Sequence, residues 1–185
     1  MDDNIAAWAR ELARKHLEGP LPRRWAHTQG VARQARTLVP LLGERAGLLE
    51  ASAWLHDVGY APDLSVTGFH PLDGARYLRD VHQADEHLCQ LIAHHTCALL
   101  EARERGLGND LVAEFGETPP ELFDPLIYCD MTTGPDGENL SVERRIAEIQ
   151  ARYGAGHLVF RFITAAAPTL IDAVHRVESA LRPVS

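Results

Sequence analysis

The sequence predicts an all-α fold built as a single-domain helical bundle. Apolar residues recur every three or four positions along most of the chain, which places them on one face of a helix. No stretch alternates apolar and polar residues as a half-buried strand requires, and β-branched residues do not cluster. A chain of 185 residues can bury a substantial core, so we expect residues 1–185 to form one domain.

Two helices are predicted in the first part of the chain. Residues 4–18 carry a helical apolar stripe that ends before a Gly-Pro pair, and His16 on this helix is expected to be exposed. Pro22 suits the first turn of a second helix over residues 23–42, which carries His27 near its start.

The third predicted helix, over residues 44–58, is among the most apolar of the chain. The pair His56-Asp57 lies at its end, where Gly59 is expected to adopt the left-handed conformation that terminates the helix. Because the neighbouring residues are apolar, both polar side chains would be buried and would need partners. The loop over residues 60–69 follows directly and is well placed to shape a pocket.

Further helices are expected in the second half of the chain. Their predicted ranges are 71–80, 85–95, 98–115 with a break near 106–110, a segment from Pro119-Pro120 to Asp130, 141–153 and 157–181. Ser141 is a candidate N-cap, and Pro168 is expected to bend the last helix.

Charge and composition limit the classes of partner. Asp and Glu total 26 against 18 Lys and Arg, and the net charge of −8 repels nucleic-acid backbones and anionic membranes. No apolar run approaches the roughly 20 residues of a membrane span, and the N-terminus does not resemble a signal peptide. We therefore expect a cytoplasmic protein with no nucleic-acid polymer or membrane partner, and a small anionic substrate is not excluded. A homodimer stays open.

Six positions place an imidazole or a carboxylate at the beginning or end of a helix, where together they could hold metal. These residues are His27, His56, Asp57, His70, His95 and Asp130. Without His70 and His95, the other four suffice for one ion. If Asp57 bridges, these two histidines complete a second position about 3.5–4 Å from the first, which is the spacing of two-metal hydrolysis.

The choice between two adjacent histidines stays open in the sequence. Helical neighbours point about 100° apart, so His94 and His95 cannot both face one ion comfortably. Thr96, which follows them, is more typical of a cap than of a substrate contact. The remaining histidines are interpreted as ordinary side chains: His16, His82, His87, His157 and His175.

These motifs resemble the HD superfamily of metal-dependent phosphohydrolases, whose signature is a His, then a His-Asp pair, then a distant Asp on successive helices. The matching residues are His27 after Arg24-Trp25-Ala26, the pair in Leu55-His56-Asp57-Val58-Gly59, and Asp130 after Tyr128-Cys129. The resemblance covers residues 22–132, and helices over 141–182 complete the chain. It implies an HD-type bundle that binds divalent transition metals.

Two further segments resemble the subset of that superfamily with dinuclear sites. They are His70-Pro71-Leu72-Asp73-Gly74-Ala75 and His94-His95-Thr96. This resemblance implies two ions of iron or manganese, with zinc, cobalt or nickel as alternatives. Members of the subset include dinucleoside-polyphosphate hydrolases, cyclic-dinucleotide phosphodiesterases of the HD-GYP type, and di-iron oxygenases.

The resemblance implies hydrolysis of a phosphate ester or phosphoanhydride of a small nucleotide-like substrate by a metal-activated water. The alternatives are a di-iron oxygenase acting on a small polar substrate, and a module that binds a nucleotide without catalysis. The Glu-Asp pair of guanosine-tetraphosphate hydrolases does not follow Asp57, and no Gly-Tyr-Pro follows His95. Hydrolysis of guanosine tetraphosphate and cleavage of cyclic dinucleotides of the HD-GYP type are therefore disfavoured.

Three residues are candidates for catalysis. Asp57 would serve as the ligand shared by both ions. Arg24, at the start of the second helix, is the nearest candidate phosphate clamp, with a surface salt bridge as the alternative. Asp73, one turn after His70, could orient that imidazole or accept a proton, and a solvated acid at a helix N-terminus explains it equally well.

Overall fold

The structure is a computed structural model that describes residues 2–116 and 121–182. Its helices are α1 (Asp2–Leu17), α2 (Pro22–Thr37), α3 (Val39–Leu42), α4 (Ala46–Leu55), α5 (His70–His82), α6 (Glu86–His94), α7 (Ala98–Glu104), α8 (Gly108–Phe115), α9 (Phe123–Met131), α10 (Val142–Tyr153) and α11 (Leu158–Leu181). Within these ranges the extended structure amounts to an isolated bridge between Thr133 and Asn139. The all-α prediction is confirmed.

The N-terminal part of the bundle is organised around α4. This apolar helix packs against α1 and α2 and also contacts α6 and α9. Leu49, Ala53 and Leu55 are fully buried in the main hydrophobic core. Because α4 is surrounded by other helices, the residues that follow its last turn emerge in the interior of the bundle.

A second hydrophobic cluster joins the C-terminal helices to the rest. Ile127 and Met131 of α9 pack there with Ile146 of α10 and with Phe162 and Leu170 of α11. The opposite face of α9 belongs to the main core, so α9 is a wall shared by both clusters. That the whole chain forms one domain stays a prediction.

Two helices are shorter than the sequence predicts. The segment predicted over residues 23–42 divides into α2 and α3, because the ring of Pro40 cannot continue the hydrogen bonds of α2. The segment predicted over residues 44–58 is helical only in α4, and Gly43–Arg45 and Val58–Tyr60 form 3-10 turns on either side. The His-Asp pair therefore lies just past the end of α4.

Gly59 is needed for a different reason from the predicted one. Its φ is not in the left-handed region, so it does not supply a left-handed stop. A Cβ atom at this position would lie 2.1 Å from the His70 carbonyl oxygen and 2.6 Å from the Gly74 nitrogen. Glycine is required because the turn after the His-Asp pair packs directly against the backbone of α5.

The other helix boundaries lie close to the predicted ones. The break near residues 106–110 is confirmed, since a turn separates α7 from α8. Ser141 caps α10, because its hydroxyl oxygen accepts a hydrogen bond from the Arg144 N–H at 3.4 Å. α11 includes Pro168 within one helix. The predicted start at Pro119-Pro120 lies outside the described residues.

α11 is long and apolar enough to cross a membrane, judged by length and composition only. Core helices of soluble proteins pass the same test. The buried residues of α11, among them Phe162 and Leu170, pack against α9 and α10, while Asp172 and Arg176 are exposed on its other side. This two-sided arrangement is typical of an amphipathic helix that packs one face on a hydrophobic core. The absence of a membrane partner stays a prediction.

His16 is buried, with 5% of its surface exposed, whereas the sequence predicted an exposed side chain. Its Nε2 lies 2.9 Å from the Tyr77 hydroxyl, and its Nδ1 lies 3.1 Å from the Asp63 carboxylate. Asp63 belongs to the loop between α4 and α5, so His16 ties α1 to that loop. Helical periodicity does not reveal such partners because they are distant in sequence.

We expect Gly59→Ala to lower the free energy of unfolding by about 1–3 kcal/mol, because the added methyl group meets backbone atoms of α5. Urea unfolding followed by circular dichroism measures the change. Gly156→Ala is the matched control, since a Cβ there meets nothing within 4 Å. The control should change stability by less than about 0.5 kcal/mol. Equal stability of the two variants would contradict the close packing at Gly59.

Candidate metal centre

Six side chains from different segments converge inside the bundle. His27 lies on α2, and His56 and Asp57 follow the last turn of α4. His70 is the first residue of α5, His95 lies in the turn after α6, and Asp130 lies in the last turn of α9. All are buried except His70, whose side chain is 13% exposed. The six residues that the sequence proposed as ligands therefore meet in one place.

The donor atoms form two groups, and within each group they lie within 4.8 Å of one another. The first donor group is His27, His56 and Asp130, and the second donor group is Asp57, His70 and His95. In the first, His27 Nε2 is 3.1 Å from Asp130 Oδ1. In the second, His70 Nε2 is 3.1 Å from His95 Nε2. Each group has the size of a site for one ion.

The carboxylate of Asp57 lies between the two groups. Its Oδ2 is 3.2 Å from His56 Nε2 and 3.9 Å from His27 Nε2. Its Oδ1 is 3.3 Å from His70 Nε2 and 4.0 Å from His95 Nε2. Each oxygen thus faces a different group, which is the geometry of a bridging ligand.

Backbone carbonyls fix the orientation of three imidazoles through Nδ1. The pairs are His27 with the Gly134 oxygen at 3.0 Å, His56 with the Ala53 oxygen at 2.8 Å, and His95 with the Ile92 oxygen at 2.7 Å. A carbonyl oxygen only accepts, so each Nδ1 donates its proton, and in the neutral ring each Nε2 presents a lone pair. Histidine ligands of metal ions are commonly oriented in this way.

The converging lone pairs fit a cation. His56 Nε2 is buried and has no hydrogen-bond partner among the described residues, although Asp57 lies beside it. Burial lowers the pKa of His27 and His95, and it lowers the pKa of His70 to about 3, so these rings are neutral. Imidazole nitrogens and carboxylate oxygens together are a donor set for divalent transition metals.

Both carboxylates are held in the charged form. Burial raises the pKa of Asp57, but Arg24 and His56 outweigh this effect and hold the pKa well below its usual range. Burial also opposes the charge of Asp130, but His27 and His56 lower the pKa of its carboxyl. Burial opposes the charge of His56, but Asp57 outweighs burial and raises the pKa of this imidazole. A centre with two buried anions favours the binding of positive ions.

The structure brings His95 into the centre and turns His94 away. Nε2 of His94 lies 3.3 Å from the backbone oxygen of Phe115 at the end of α8. Thr96 then adopts the left-handed conformation with φ 51°, and its hydroxyl donates a hydrogen bond to Asp130 Oδ2. A β-branched residue in this conformation is strained, and such strain concentrates at functional sites.

Arg24, the predicted phosphate clamp, is already paired within the centre. Its Nη1 lies 2.7 Å from Asp57 Oδ2, and its guanidinium group lies 4.0 Å from the centroid of the Tyr60 ring. Tyr60 in turn stacks on His70, with ring centroids 3.8 Å apart and planes 17° apart. The first effect of Arg24 is therefore to orient the Asp57 carboxylate.

Asp73 binds the loop before α5, and its predicted role beside His70 stays a prediction. Its carboxylate accepts hydrogen bonds of 2.8–3.1 Å from the N–H groups of Val66, Thr67 and Gly68 and from the Thr67 hydroxyl. These bonds hold the loop that precedes α5. Spacing along the helix places Asp73 near His70, but it does not show that this loop folds back over the first turn of α5.

A cleft of about 600 Å³, including the open solvent at its mouth, lies over the centre. Its floor includes Asp57, His70, His95 and Asp130. Its walls include residues that the sequence analysis did not select: Tyr60, Glu101, Arg145, Arg152, Tyr153 and Phe162. Arg145 and Arg152 are seven residues apart and so share a face of α10, which is the one sequence signal that could have indicated them.

Comparison with known proteins identifies the class. Residues 24–150 match the HD domain family. Because this match covers more than half of the chain, the protein belongs to the HD domain family, a superfamily of metal-dependent phosphohydrolases whose members bind divalent metals.

The chain is also similar to Ribonuclease Y of Rubrobacter xylanophilus. The two are 36% identical over 70 residues, which is 38% of this chain and 14% of that relative. The chain thus matches only a small part of the relative's length. No solved structure matches.

We expect the protein purified without chelator to hold about two transition-metal ions per chain, and His70→Ala about one, because His70 belongs only to the second donor group. Inductively coupled plasma mass spectrometry measures the content. His175→Ala is the control, since its side chain is 56% exposed and lies outside the centre. A metal content of one ion per chain in both the wild type and His70→Ala would rule out two sites.

We expect Asp73→Asn to lower the free energy of unfolding by about 1–3 kcal/mol, because an amide cannot accept all the hydrogen bonds that the carboxylate accepts. The metal content should stay at the wild-type level. Asp80→Asn, an exposed change on the same helix, is the control. Loss of metal without loss of stability would instead support the role near His70 that the sequence suggested.

Proposed function

We propose that the protein is a metal-dependent hydrolase that cleaves a phosphate ester or phosphoanhydride of a small nucleotide-like molecule. The observation that carries the proposal is the Asp57 carboxylate, which turns one oxygen to each donor group beneath an arginine-lined cleft. Asp57 could serve as the ligand common to both donor groups, and this arrangement is suited to the two-metal hydrolysis of phosphate esters.

Divalent metal ions, when bound, would lower the pKa of a water molecule toward about 7 and offset the charge of a phosphoryl group. The protein supplies position and further charge. Asp57 and Asp130 stay ionised, and Arg24 keeps the Asp57 carboxylate oriented. Arg145 and Arg152 line the cleft, and a guanidinium group can hold two phosphoryl oxygens at once.

Aromatic side chains give the cleft a surface for the rest of the substrate. Tyr60, Tyr153 and Phe162 line it, together with aliphatic side chains of α10 and α11. A planar base can stack on such rings while its phosphates meet the arginines. This combination supports a nucleotide-like substrate over a purely polar one.

The similarity to a protein named as a ribonuclease supports cleavage of a phosphate ester over the oxygenase alternative. RNA is not proposed as the substrate, because only 14% of that relative is matched and the net charge of −8 repels a polyanion. We propose instead a free small molecule, hydrolysed in the cytoplasm with iron or manganese in the centre. A homodimer is compatible with this proposal.

We expect phosphate release from one or more members of a nucleotide panel in the presence of Mn²⁺ or Fe²⁺. His56→Ala should lower kcat by at least about 100-fold, since even outer-shell changes at metal sites cost 10- to 100-fold. His175→Ala should retain wild-type activity. Oxygen consumption with iron bound and no phosphate release from the panel would select the oxygenase and contradict the proposal.

A further inference from the structure

We propose that a pocket beside the metal centre, where α2 begins, binds a second, non-reacting phosphate group of the substrate. The preferred substrate would then be a small molecule with two phosphate groups. This inference rests on the proposed function and narrows its substrate class. The second pocket is lined by Arg23, Arg24, Arg145 and Arg152, and His27 connects it to the centre.

The lining of the second pocket carries four arginines and, among the described residues, no carboxylate. In a chain with a net charge of −8, this is a local reversal of the surface potential. Carboxylates outside the lining pair with these arginines: Asp136 with Arg23 at 2.9 Å, Asp57 with Arg24 at 2.7 Å, and Glu148 with Arg145 at 2.6 Å and Arg152 at 3.5 Å, so three acids face four guanidinium groups. A pocket of this charge is suited to an anion.

Arg145 points independently to a ligand. Its side chain is buried, with 4% of the residue exposed, and its Nη1 lies 2.6 Å from Glu148 Oε2. Its Nε is buried and has no hydrogen-bond partner among the described residues. A buried donor on a charged group is costly to leave unpaired. The Arg145 guanidinium group, which lines the pocket, therefore has hydrogen-bonding capacity that the described residues leave unused.

The start of α2 adds a third observation. This helix has 16 residues, its N-cap is Leu21, no side chain caps it, and its first turn contains no acidic residue. Pro22 has no N–H and the Trp25 N–H donates to the Leu21 oxygen, so the N–H groups of Arg23 and Arg24 remain available at the positive end of the helix dipole. Helix N-termini of this kind bind phosphate.

The position of the pocket explains how two phosphates could belong to one molecule. Arg24, Arg145 and Arg152 line both the cleft and the second pocket, so the two sites share a wall. A phosphate over the metal centre and another at the start of α2 would then meet opposite sides of the same guanidinium groups. A monophosphate would fill only one of the sites.

Titration of the purified protein with inorganic phosphate by isothermal calorimetry tests the pocket. We expect two phosphates per chain in the wild type. Arg23→Gln should weaken one of them about five- to tenfold, because Arg23 lines the second pocket and not the cleft. Asp136→Asn should strengthen the same binding step, because it frees Arg23 from its carboxylate partner. Arg144→Gln, an exposed change of equal charge on α10, should change neither step.

Kinetics test the substrate class. For a nucleotide with two phosphate groups, Arg23→Gln should raise KM about five- to tenfold and leave kcat unchanged, while KM for the corresponding monophosphate should not change. A single phosphate per chain that is indifferent to Arg23→Gln, or equal effects on both substrates, would overturn the inference. Because the titration needs no turnover, its result stands even if no nucleotide is hydrolysed and the proposed function fails.

Discussion

The carboxylate of Asp57, buried among four imidazoles, is the interaction on which the rest of the site depends. Its two oxygens face the two donor groups, and Arg24 approaches one of those oxygens from the side of the cleft. A buried carboxylate is stable only when it is paired or hydrogen bonded. Arg24 supplies such a partner at 2.7 Å, and divalent ions held by the two donor groups would supply further positive charge.

The structure holds this carboxylate by packing as much as by charge. α4 is enclosed by other helices, so the pair that follows its last turn emerges inside the bundle. The turn through Gly59 then packs against the backbone of α5, which places His70 opposite Asp57. The Asp73 carboxylate accepts hydrogen bonds from backbone N–H groups of the loop before α5 and so fixes that loop. These contacts together set the orientations of the Asp57 and His70 side chains in the site.

The C-terminal helices bring arginine side chains to the centre. α10 and α11 share a hydrophobic cluster with α9, and this cluster fixes α10 beside the donor groups. Arg145 and Arg152 are carried there on one face of α10. A strongly acidic chain thus acquires a local concentration of guanidinium groups next to two buried carboxylates. The donor groups proposed to hold metal and the arginines proposed to bind an anion come from different regions of the sequence.

The sequence by itself determined the helical class, the order of the helices, and the six polar residues that the fold brings together. These were accessible because a helix has a fixed period, so a polar residue on the apolar face of a helix is expected to be buried. His27, His56, Asp57 and Asp130 all stand in such positions. The metal content of the purified protein tests whether these residues bind ions.

Only the tertiary structure decided which groups meet across the bundle. It turned His95 inward and His94 outward, paired Arg24 with Asp57, committed Asp73 to a loop, and brought Arg145 to the cleft. The physical reason is the same in each case. Local periodicity determines the face of a helix on which a side chain lies, whereas the partner on that face depends on how distant segments pack, and no local pattern encodes that approach.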